Sequence, residues 1–553
     1  MVDHSEIPGT SHLVELSKER LMELNAGDKD KDVILIPTPT SDPNDPLNWT
    51  RTRKYIHMFA LIVYIFGIGI PTTSIYSILT ELSDKTGISL GTLNDGTGYM
   101  FLFLGLANLF FLPMAMQIGK RPIYIFSVTS VCLLTLWEAY CSSGGEWIGS
   151  KILQGFFAAP IEAMCEITVS DVFFEHERGT WMSVYALALF ASNYMAPMVA
   201  GFISDGQGWK WVIYWSCIWN GIAAILVFFL LEETNYSRPV PIDGETDQLE
   251  IVLSNVKSGT VQEVLSQQLS HQPSEKQVFI SEVEVLKGTL KLDETIPVKT
   301  FWQKLRLFEV RNWEWFKHYA TGPFLMLQFP IVLYSGFLYG STLFWYSVMN
   351  GTMSSVFTAH PYNFSSAMTG LVYLAPLIFA VIFNFYAGYV SDWLKIKMAE
   401  RRGGISYAED RLWILLLYMI VGPCALFLYG IGAYYEVHWF GLVIGAGITG
   451  GCVVVGAASA CSYCIDTYRE MSCEAMVVVV IIRNTMNFAM DYGITPWITN
   501  TGLKNTFIAA GFINLFCIGT FLIMELTGPY WRNKTKEKYW KIIEKRRAAG
   551  ICH

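Results

Sequence analysis

Charged side chains are scarce in this sequence. Asp, Glu, Lys and Arg make up 16% of its 553 residues, whereas about a quarter of an average soluble protein is charged. The apolar share is 52%, and the mean hydropathy is +0.35. A soluble chain cannot hide so much apolar surface, because exposed apolar patches larger than about a few hundred Å² normally belong to interfaces. The composition therefore predicts a protein whose solvent is the lipid bilayer.

The sequence also lacks the patterns that several other classes of protein require. No basic run is interleaved with aromatic residues, so no nucleic-acid partner is expected. The nine histidines are scattered and no H-E-x-x-H string occurs, so no metal site, catalytic set or cofactor is predicted. The eleven cysteines lie mostly in apolar stretches and predict no disulfide framework. No filter-like repeat is evident. These observations argue against an enzyme and against a channel.

The apolar residues fall into runs of the length that a membrane helix needs, about 20 residues each. Twelve runs lie near residues 55–79, 95–117, 122–141, 147–173, 180–204, 211–231, 321–349, 366–391, 411–434, 438–465, 474–498 and 506–527. The sequence therefore predicts an all-α membrane protein with twelve transmembrane helices.

Polar segments divide the chain into five parts. These are an N-terminal tail (1–54), six spans (55–231), a central loop (232–320), six further spans (321–527) and a basic tail (528–553). No cleavable signal peptide is recognisable at the start, so the first apolar run is expected to act as an uncleaved insertion signal.

The distribution of Lys and Arg predicts the orientation in the membrane. One set of loops and the C-terminal tail carry most of these residues, including Arg51, Arg53, Lys54, Lys120, Arg121, Lys395, Lys397, Arg401 and Arg402. The opposite loops offer little beyond Lys85, Lys210 and Lys504. Because positive charge collects in cytoplasmic loops, both termini and the central loop are predicted to be cytoplasmic.

Five N-x-S/T sequons bear on the same topology. Asn350 and Asn363 fall in the predicted outside loop between spans seven and eight, and we expect them to be the glycan acceptors. Asn48, Asn235 and Asn533 fall on the predicted inside and should stay bare.

Two strings resemble motifs of soluble proteins but lack their context. Gly445-Ala-Gly-Ile-Thr-Gly450 fits a dinucleotide string, yet no strand precedes it and it lies within span ten. Small residues there let helices approach closely. Cys461-Ser-Tyr-Cys464 fits a redox string, but it lies in an apolar helix without a βαβ unit. We interpret both strings as helix packing.

Acidic residues at membrane depth are the first candidate functional groups. Glu162 lies close to the midpoint of span four, and Glu166 follows it on the same helical face. A carboxylate near the bilayer centre costs roughly 2.5–3.5 kcal/mol on insertion scales and usually faces a cavity or a partner. The pair predicts a site for a cation or a proton. The alternative is a structural hydrogen bond to a neighbouring helix.

Span eleven carries a second polar stripe. Arg483, Asn487 and Asp491 are spaced four residues apart and so share one face. Asp491 is a candidate for substrate or proton binding, and Arg483 for a structural or gating role, with a purely structural network as the alternative. The midspan amide of Asn193 is a further candidate for substrate or proton binding, with a hydrogen bond that holds two helices together as the alternative. The aromatic residues Tyr64, Tyr76, Trp345 and Tyr346 are candidates for the cavity wall.

Several strings then resemble the major facilitator superfamily. Span two is followed by Leu112-Pro-Met-Ala-Met116-Gln-Ile-Gly-Lys120-Arg121, which is similar to the family's G-x-x-x-D-R-x-G-R-R loop without its first Gly and its Asp. The counterpart after span eight, Gly388-Tyr-Val-Ser-Asp392, keeps both. The resemblance implies two six-helix bundles that rock about a central site, with structural or gating roles for Lys120, Arg121, Gly388 and Asp392.

More specific strings resemble the fungal drug:proton antiporter family 1. They are Asp45-Pro-Leu-Asn-Trp49, Glu177-Arg-Gly179, Gly208-Trp-Lys-Trp-Val-Ile-Tyr-Trp215, Arg483-Asn484 and Pro496-Trp-Ile498. Within that family, Ala159-Pro-Ile-Glu-Ala163 and Asp171-Val-Phe-Phe174 are similar to the clade of the yeast polyamine and histidinol permease.

Residues and resemblance together give the expected function. Two carboxylates on one face of span four favour an ammonium group over an anion, and nearby aromatic rings add cation–π attraction. We therefore expect a monomeric plasma-membrane importer of polyamines or similar organic cations, coupled to protons. The alternative is a drug:proton antiporter that exports cationic or amphipathic compounds, which the family resemblance and the loose span-five string Ala196-Pro-Met-Val-Ala-Gly201 favour.

Overall fold

The computed structural model describes residues 7–12, 40, 42–236, 299–305, 313–402 and 405–548. In chain order its elements are β1 (Thr10–His12), α1 (Arg51–Thr73), α2 (Leu79–Thr86), α3 (Leu90–Leu106), α4 (Asn108–Ile118), α5 (Lys120–Glu138), α6 (Gly144–Ala158), α7 (Ala163–Val172), α8 (Glu175–Gln207), α9 (Trp209–Leu230), α10 (Phe301–Lys304), α11 (Trp313–Met326), α12 (Pro330–Thr358), α13 (Ser366–Val372), α14 (Leu374–Phe385), α15 (Ser391–Arg401), β2 (Ile405–Tyr407), α16 (Leu415–Tyr434), α17 (Trp439–Thr467), α18 (Ser472–Thr501) and α19 (Leu503–Ala548). Most of the predicted central loop lies outside the described residues.

The predicted apolar runs are helical over most of the length that the structure describes, with short breaks such as those at Glu162 and between Met326 and Pro330. Among the described residues, nine helical segments can cross a membrane by length and composition, or eleven if each of two bent pairs counts as one span. The bent pairs are α3 with α4, at 40°, and α11 with α12, at 79°. The remaining predicted span is α5, a helix whose ends carry Lys120, Arg121 and Glu138 and are therefore less apolar. The all-α membrane class is confirmed.

At two places the helix bounds differ from the predicted bounds of the spans. The sequence placed span seven at 321–349, but α11 ends at Met326 and α12 begins at Pro330 after a sharp bend. Proline suits the first turn of a helix, where its missing N–H costs nothing, so the new helix begins there and runs on to Thr358. The last span was expected to end at residue 527, whereas α19 continues to Ala548 through Pro529.

The helices of each half pack around an apolar interior. Glycine allows the closest approaches, because a Cβ on Gly155 of α6 would lie 2.1 Å from the carbonyl oxygen of Met100 on α3. In the second half, a Cβ on Gly430 of α16 would lie 2.0 Å from Cβ of Phe507 on α19. In lipid the hydrophobic effect does not drive helices together, because the lipid tails are themselves apolar. Close packing of this kind therefore stabilises the association of membrane helices.

The two halves also contact each other directly, at both ends of the molecule. We call the end that carries β1, β2 and the last turns of α19 the tail side, and the opposite end the far side. A tail-side cluster joins both halves through Leu112, Met116, Ala163, Ile167, Tyr319 and Val477. A far-side cluster does the same through Ile75, Tyr76, Leu79, Trp345, Val348 and Met349. The space between the halves is thus covered at both ends.

The N-terminal tail, expected only to be polar, contacts the second half. β1 pairs antiparallel with β2, with Ser11 opposite Ser406. Arg532 of α19 donates to the carbonyl oxygen of Pro8 and to Oγ1 of Thr10, both over 2.9 Å. The same guanidinium pairs with Glu409, with Nη2 2.7 Å from Oε2, and both side chains are almost fully buried.

Candidate functional site

A cavity of about 80 Å³ lies between the two halves, at the middle of the molecule. The first half contributes its wall from α1, α3, α8 and the break between α6 and α7, and the second half from α12 and α18. Its polar lining comes from Thr72, Thr73, Tyr76, Glu162, Asn193, Tyr194, Tyr339, Tyr346, Ser347, Asn350 and Arg483. Aliphatic and phenyl side chains supply the rest, including Ile68, Phe101, Leu104, Leu189, Phe190 and Leu343.

Glu162 lies at a break in the fourth span. Pro160 sits in a 3-10 turn that ends α6, and Glu162 itself has φ −92° and ψ −90°, outside the helical range. The break frees backbone carbonyls, and the Tyr185 hydroxyl donates to those of Ile161 and Glu162 over 3.3 and 3.2 Å. Discontinuous helices at the interface of two repeats commonly form binding sites in transporters. Sequence reasoning did not identify Tyr185, because nothing in the linear pattern links it to this break.

Arg483 reaches Glu162 from the other half of the molecule. Its Nη2 forms an ion pair with Glu162 Oε1. Asn484 donates to the other carboxylate oxygen over 3.3 Å and accepts from Arg483 over 3.1 Å. The ring of Tyr339 lies 4.6 Å from the guanidinium carbon, within the range of a cation–π contact. The predicted cation site and the predicted gating residue are therefore direct partners.

The aromatic wall of the cavity comes from both halves. Tyr194 of α8 and Tyr346 of α12 are in edge-to-face contact, with ring centroids 5.2 Å apart. The Tyr194 hydroxyl donates to the carbonyl oxygen of Gly450 on α17 over 3.2 Å. Asn193, half-buried beside Tyr194, also lines the cavity. These positions agree with the cavity-wall expectation for Asn193 and Tyr346.

Tyr64 lies elsewhere, and its predicted place in the cavity wall is wrong. It is buried in the interior of the first half, where its hydroxyl is 2.8 Å from Oγ of Ser127. Its ring meets that of Tyr124 at 4.7 Å. A tyrosine near the middle of span one fits either the cavity or the interior, and only the rotation of the helix decides between them. Tyr76, from the same span, does line the cavity.

Glu166 follows Glu162 by one turn toward the tail side. Its side chain is half-buried, and within the described residues it has no hydrogen bond or ion pair. Its carboxyl group lies close enough to Glu162 and Arg483 to interact electrostatically with both.

Asp491 is also buried, but on the far side of Arg483. Asp491 is 5% exposed and lies at the contact between α18 and α3. A Cβ added to Gly98 of α3 would lie 3.1 Å from Cβ of Asp491. Its Oδ2 has no partner among the described residues, and neither polar atom of the fully buried Asn487 amide has one. The stripe predicted on span eleven therefore has a paired end, at Arg483, and an unpaired end, formed by Asn487 and Asp491.

The loop after span two is tied to its own half. Lys120 pairs with Asp171, at the end of α7. Arg121 donates to the backbone carbonyls of Phe228 and Leu231 over 2.6 and 2.8 Å. Glu233 accepts from the backbone N–H groups of Lys120 and Arg121, each over 3.0 Å, at the start of α5. A carboxylate at a helix N-terminus is favourable, so this network fixes the end of α5.

A matching network closes the second half. Arg411 joins Asp392 over 3.2 Å and Asp466 over 2.7 Å, and Lys395 joins Asp466 over 2.9 Å. Asp466 ends α17 much as Asp171 ends α7. Gly388 lies in a one-turn π-helical segment, Tyr386–Val390, and no atom lies within 4 Å of where its Cβ would be.

The loop after span two departs from the family pattern at two positions, Leu112 and Met116, and both of these side chains pack between the two halves. Leu112 and Met116, which stand where the family has Gly and Asp, are each 1% exposed. Both belong to the tail-side cluster and pack across the two halves. An apolar contact therefore takes the place that the family pattern gives to a small residue and an acid.

The expected glycan acceptor Asn350 requires a correction. It lies inside α12, is 6% exposed and lines the central cavity. The sequence placed it in a loop because the apolar run becomes more polar there, yet the helix continues for two further turns to Thr358. Asn363 is exposed, in the loop between α12 and α13.

The two dismissed strings lie in packed helices. A Cβ on Gly450 would be 2.8 Å from Cβ of Pro376, and one on Gly447 would be 2.6 Å from the ring of Phe379. Cys461 and Cys464 are free thiols within α17. Close helix packing accounts for the glycines.

Two membrane-embedded helical halves that share a polar cavity at their interface define a secondary transporter rather than an enzyme. The family model described as Major Facilitator Superfamily matches residues 58–490, and the chain belongs to that family.

Curated relatives match along nearly the whole chain. An uncharacterized MFS-type transporter of Schizosaccharomyces pombe is 30% identical over 98% of this chain and 95% of its own length. Protein HOL1 of Saccharomyces cerevisiae is 29% identical, with 98% of each chain covered. Among solved structures, the xylose transporter XylE from E. coli, in a partially occluded inward open conformation, aligns with a TM-score of 0.54. That alignment has 11% identity, covers 85% of this chain and 97% of XylE, and supports the fold alone.

Proposed function

We propose that the protein imports small organic cations of the polyamine type across the plasma membrane, by alternating access of its two halves and in exchange or together with protons. One observation carries the proposal. Glu162 lies in the wall of the central cavity at a helix break, and its present partner, Arg483, comes from the opposite half.

The charges near the cavity favour a cation. Among the described residues, Glu162 in the cavity wall and Glu166 one turn away provide two carboxyl groups, and Arg483 provides one guanidinium. Carboxyl groups at membrane depth are costly and are normally matched by a partner. A substrate with one or more ammonium groups supplies the missing positive charge, whereas an anion would add to the imbalance. The rings of Tyr194, Tyr339 and Tyr346 offer cation–π contacts to the same groups.

Arg483 then acts as a counter-ion that the substrate replaces. With the site empty, it neutralises Glu162 and holds the two halves together at mid-membrane. An entering ammonium group competes for the same carboxylate and frees Arg483 from the first half. Occupancy of the site is thereby coupled to the contact between the halves, as alternating access requires.

The membrane potential supports uptake as the direction. Each positive charge that enters across about 100 mV, negative inside, gains about 2.3 kcal/mol. This corresponds to roughly 50-fold accumulation per charge, at 1.4 kcal/mol for each factor of ten. A dication or trication gains two or three times this free energy, so a polyamine needs little further driving force.

A drug:proton antiporter remains the second candidate, and the apolar part of the cavity wall favours it. Ile68, Phe101, Leu104 and Phe190 would contact the hydrocarbon portion of an amphipathic cation. Uptake of labelled spermidine into cells that lack their own polyamine permeases separates the two functions. An importer raises cellular spermidine, and an uncoupler reduces the gain. An exporter leaves spermidine unchanged and lowers the accumulation of a cationic dye.

The binding experiment uses purified protein and labelled spermidine. Glu162→Gln keeps size and hydrogen bonding but removes the charge. A charge-assisted hydrogen bond contributes about 1.5–3 kcal/mol, so binding should weaken by roughly 10- to 150-fold. Arg483→Gln should bind spermidine at least as tightly as the parent, because it removes the competitor for Glu162. The matched control is Glu436→Gln, at an exposed loop position.

Opposite effects of the two substitutions distinguish this proposal from a purely structural ion pair. A structural pair would give two variants that are both less stable and equal in affinity. If correctly folded Glu162→Gln binds spermidine and putrescine like the parent, the cation site is not at Glu162.

A further inference from the structure

The unpaired end of the span-eleven stripe has no role in the substrate site described above. Asp491 is buried between α18 and α3, and in the part of the chain that the structure describes it has neither an ion pair nor a hydrogen bond. One turn away, Asn487 is fully buried, and neither of its amide atoms has a hydrogen-bond partner among the residues that the structure describes. The two side chains share one helical face. Among the buried side chains that have an unpartnered polar atom in the described residues, Asp491 is the carboxyl group that also lacks an ion pair, and a bound group would provide the missing partner.

No charged neighbour neutralises Asp491. Tyr76, after α1, interacts electrostatically with Asp491. The packed elements also carry the titratable side chains Asp95 and Tyr99 on α3, Tyr346 on α12 and Arg483 on the same helix as Asp491. Arg483 is the one cation among them, and it is paired with Glu162 two turns away. A carboxylate without a counter-ion is strongly disfavoured inside a protein at membrane depth.

The available space distinguishes a proton from an ammonium group. The central cavity is lined by Glu162 and Arg483 but by neither Asp491 nor Asn487. Asp491 instead packs against Gly98, and a Cβ added to Gly98 would lie 3.1 Å from Cβ of Asp491. The carboxyl group of Asp491 therefore lies outside the substrate cavity in this conformation, and a proton is the positive charge that needs no cavity to bind.

We propose that Asp491 binds the coupling proton, so that the substrate and the proton occupy separate carboxyl groups in the two halves of the molecule. This inference rests on the proposed function and assigns the proton within it. When α3 and α18 are in contact, the carboxyl group carries the proton. When the halves separate at Gly98, water reaches the group and the proton leaves to that side. The Asn487 amide makes no hydrogen bond to Asp491 in this conformation.

The first test needs no substrate. Infrared difference spectra of the reconstituted full-length protein, between acidic and alkaline buffer, should show a protonated-carboxyl C=O band. The band should be missing in Asp491→Asn and retained in the control Asp84→Asn, an exposed position at the far side. A band that persists in Asp491→Asn, or no such band in the parent, would overturn the proposal.

The second test separates proton coupling from substrate binding. In liposomes, Asp491→Asn should exchange labelled spermidine for unlabelled spermidine within about threefold of the parent rate. Accumulation driven by a pH gradient should fall at least tenfold, and its dependence on pH should flatten. Glu162→Gln should lose both activities. Loss of exchange together with accumulation in folded Asp491→Asn contradicts the separation of sites. A parent that shows the infrared band but neither binds nor exchanges spermidine contradicts the proposed substrate and not the proton site.

Discussion

Gly105 of α3 and Asn484 of α18 meet at a close contact between the two halves of the molecule. A Cβ on Gly105 would lie 2.9 Å from Cβ of Asn484, and Asn484 also donates to the carboxylate of Glu162. Seven residues away on each helix, Gly98 meets Asp491 in the same way. The substrate carboxylate and the proposed proton site are thus connected by one glycine-lined contact between the halves.

Gly105→Leu should therefore disfavour the closed contact. Overpacking costs about 1–3 kcal/mol, which corresponds to roughly a 5- to 150-fold loss of the closed conformation, and spermidine exchange in liposomes should fall accordingly. Gly149→Leu on α6 is the matched control, because no atom lies within 4 Å of where its Cβ would be. Equal exchange rates in the two variants would show that the halves do not need this contact.

The buried pair of Glu409 and Arg532 should stabilise the second half. Removing one partner of a buried ion pair costs about 3–5 kcal/mol, so Glu409→Leu should lower the melting temperature of the purified protein by several degrees. The double variant Glu409→Leu, Arg532→Leu should recover part of the loss, since it leaves no buried charge unpaired. Deleting residues 1–12 should cost less, because it removes β1 and leaves the ion pair in place. A deletion that costs more than Glu409→Leu would mean that β1, and not the ion pair, provides the stability.

Tyr319 should control access to the site from the tail side. It is fully buried in the tail-side cluster, next to the half-buried thiol of Cys473. Tyr319→Ala leaves a space in that cluster, so a charged maleimide should label Cys473 at least severalfold faster, as read by mass spectrometry. Tyr434→Ala, an exposed position on the far side, is the control. Unchanged labelling of Cys473 would place the barrier elsewhere.

Glycan mapping in a eukaryotic host tests the topology. Asn363 should carry a glycan, because it is exposed in a loop on the far side, and Asn350 should not, because it is buried in α12. Asn48, Asn235 and Asn533 should stay bare on the predicted cytoplasmic side. Asn363→Gln should abolish the gel shift caused by glycosidase. A glycan at Asn48, Asn235 or Asn533 would reverse the predicted orientation.

The sequence by itself determined the class of the protein and most of its helices. Long apolar runs have no stable structure in lipid other than a helix, because every backbone N–H and C=O must be satisfied within the segment. The same reasoning identified Glu162, Asp491 and Arg483, since ionisable groups at membrane depth are too costly to be incidental. The sequence reasoning placed Asn350 wrongly, because polar residues that line a cavity interrupt the apolar pattern in the same way as the end of a span does.

Only the tertiary structure decided which of these groups meet. Glu162 and Arg483 are more than 300 positions apart, and no local pattern indicates that one neutralises the other. Spacing predicts which residues share a helical face, but the packing of neighbouring helices sets where that face points. For this reason Tyr64 lies in an interior and Tyr76 in the cavity wall, although both belong to the first span. The helix break at Pro160, the packing of Leu112 and Met116 across the halves, and the isolation of Asp491 likewise follow from long-range contacts.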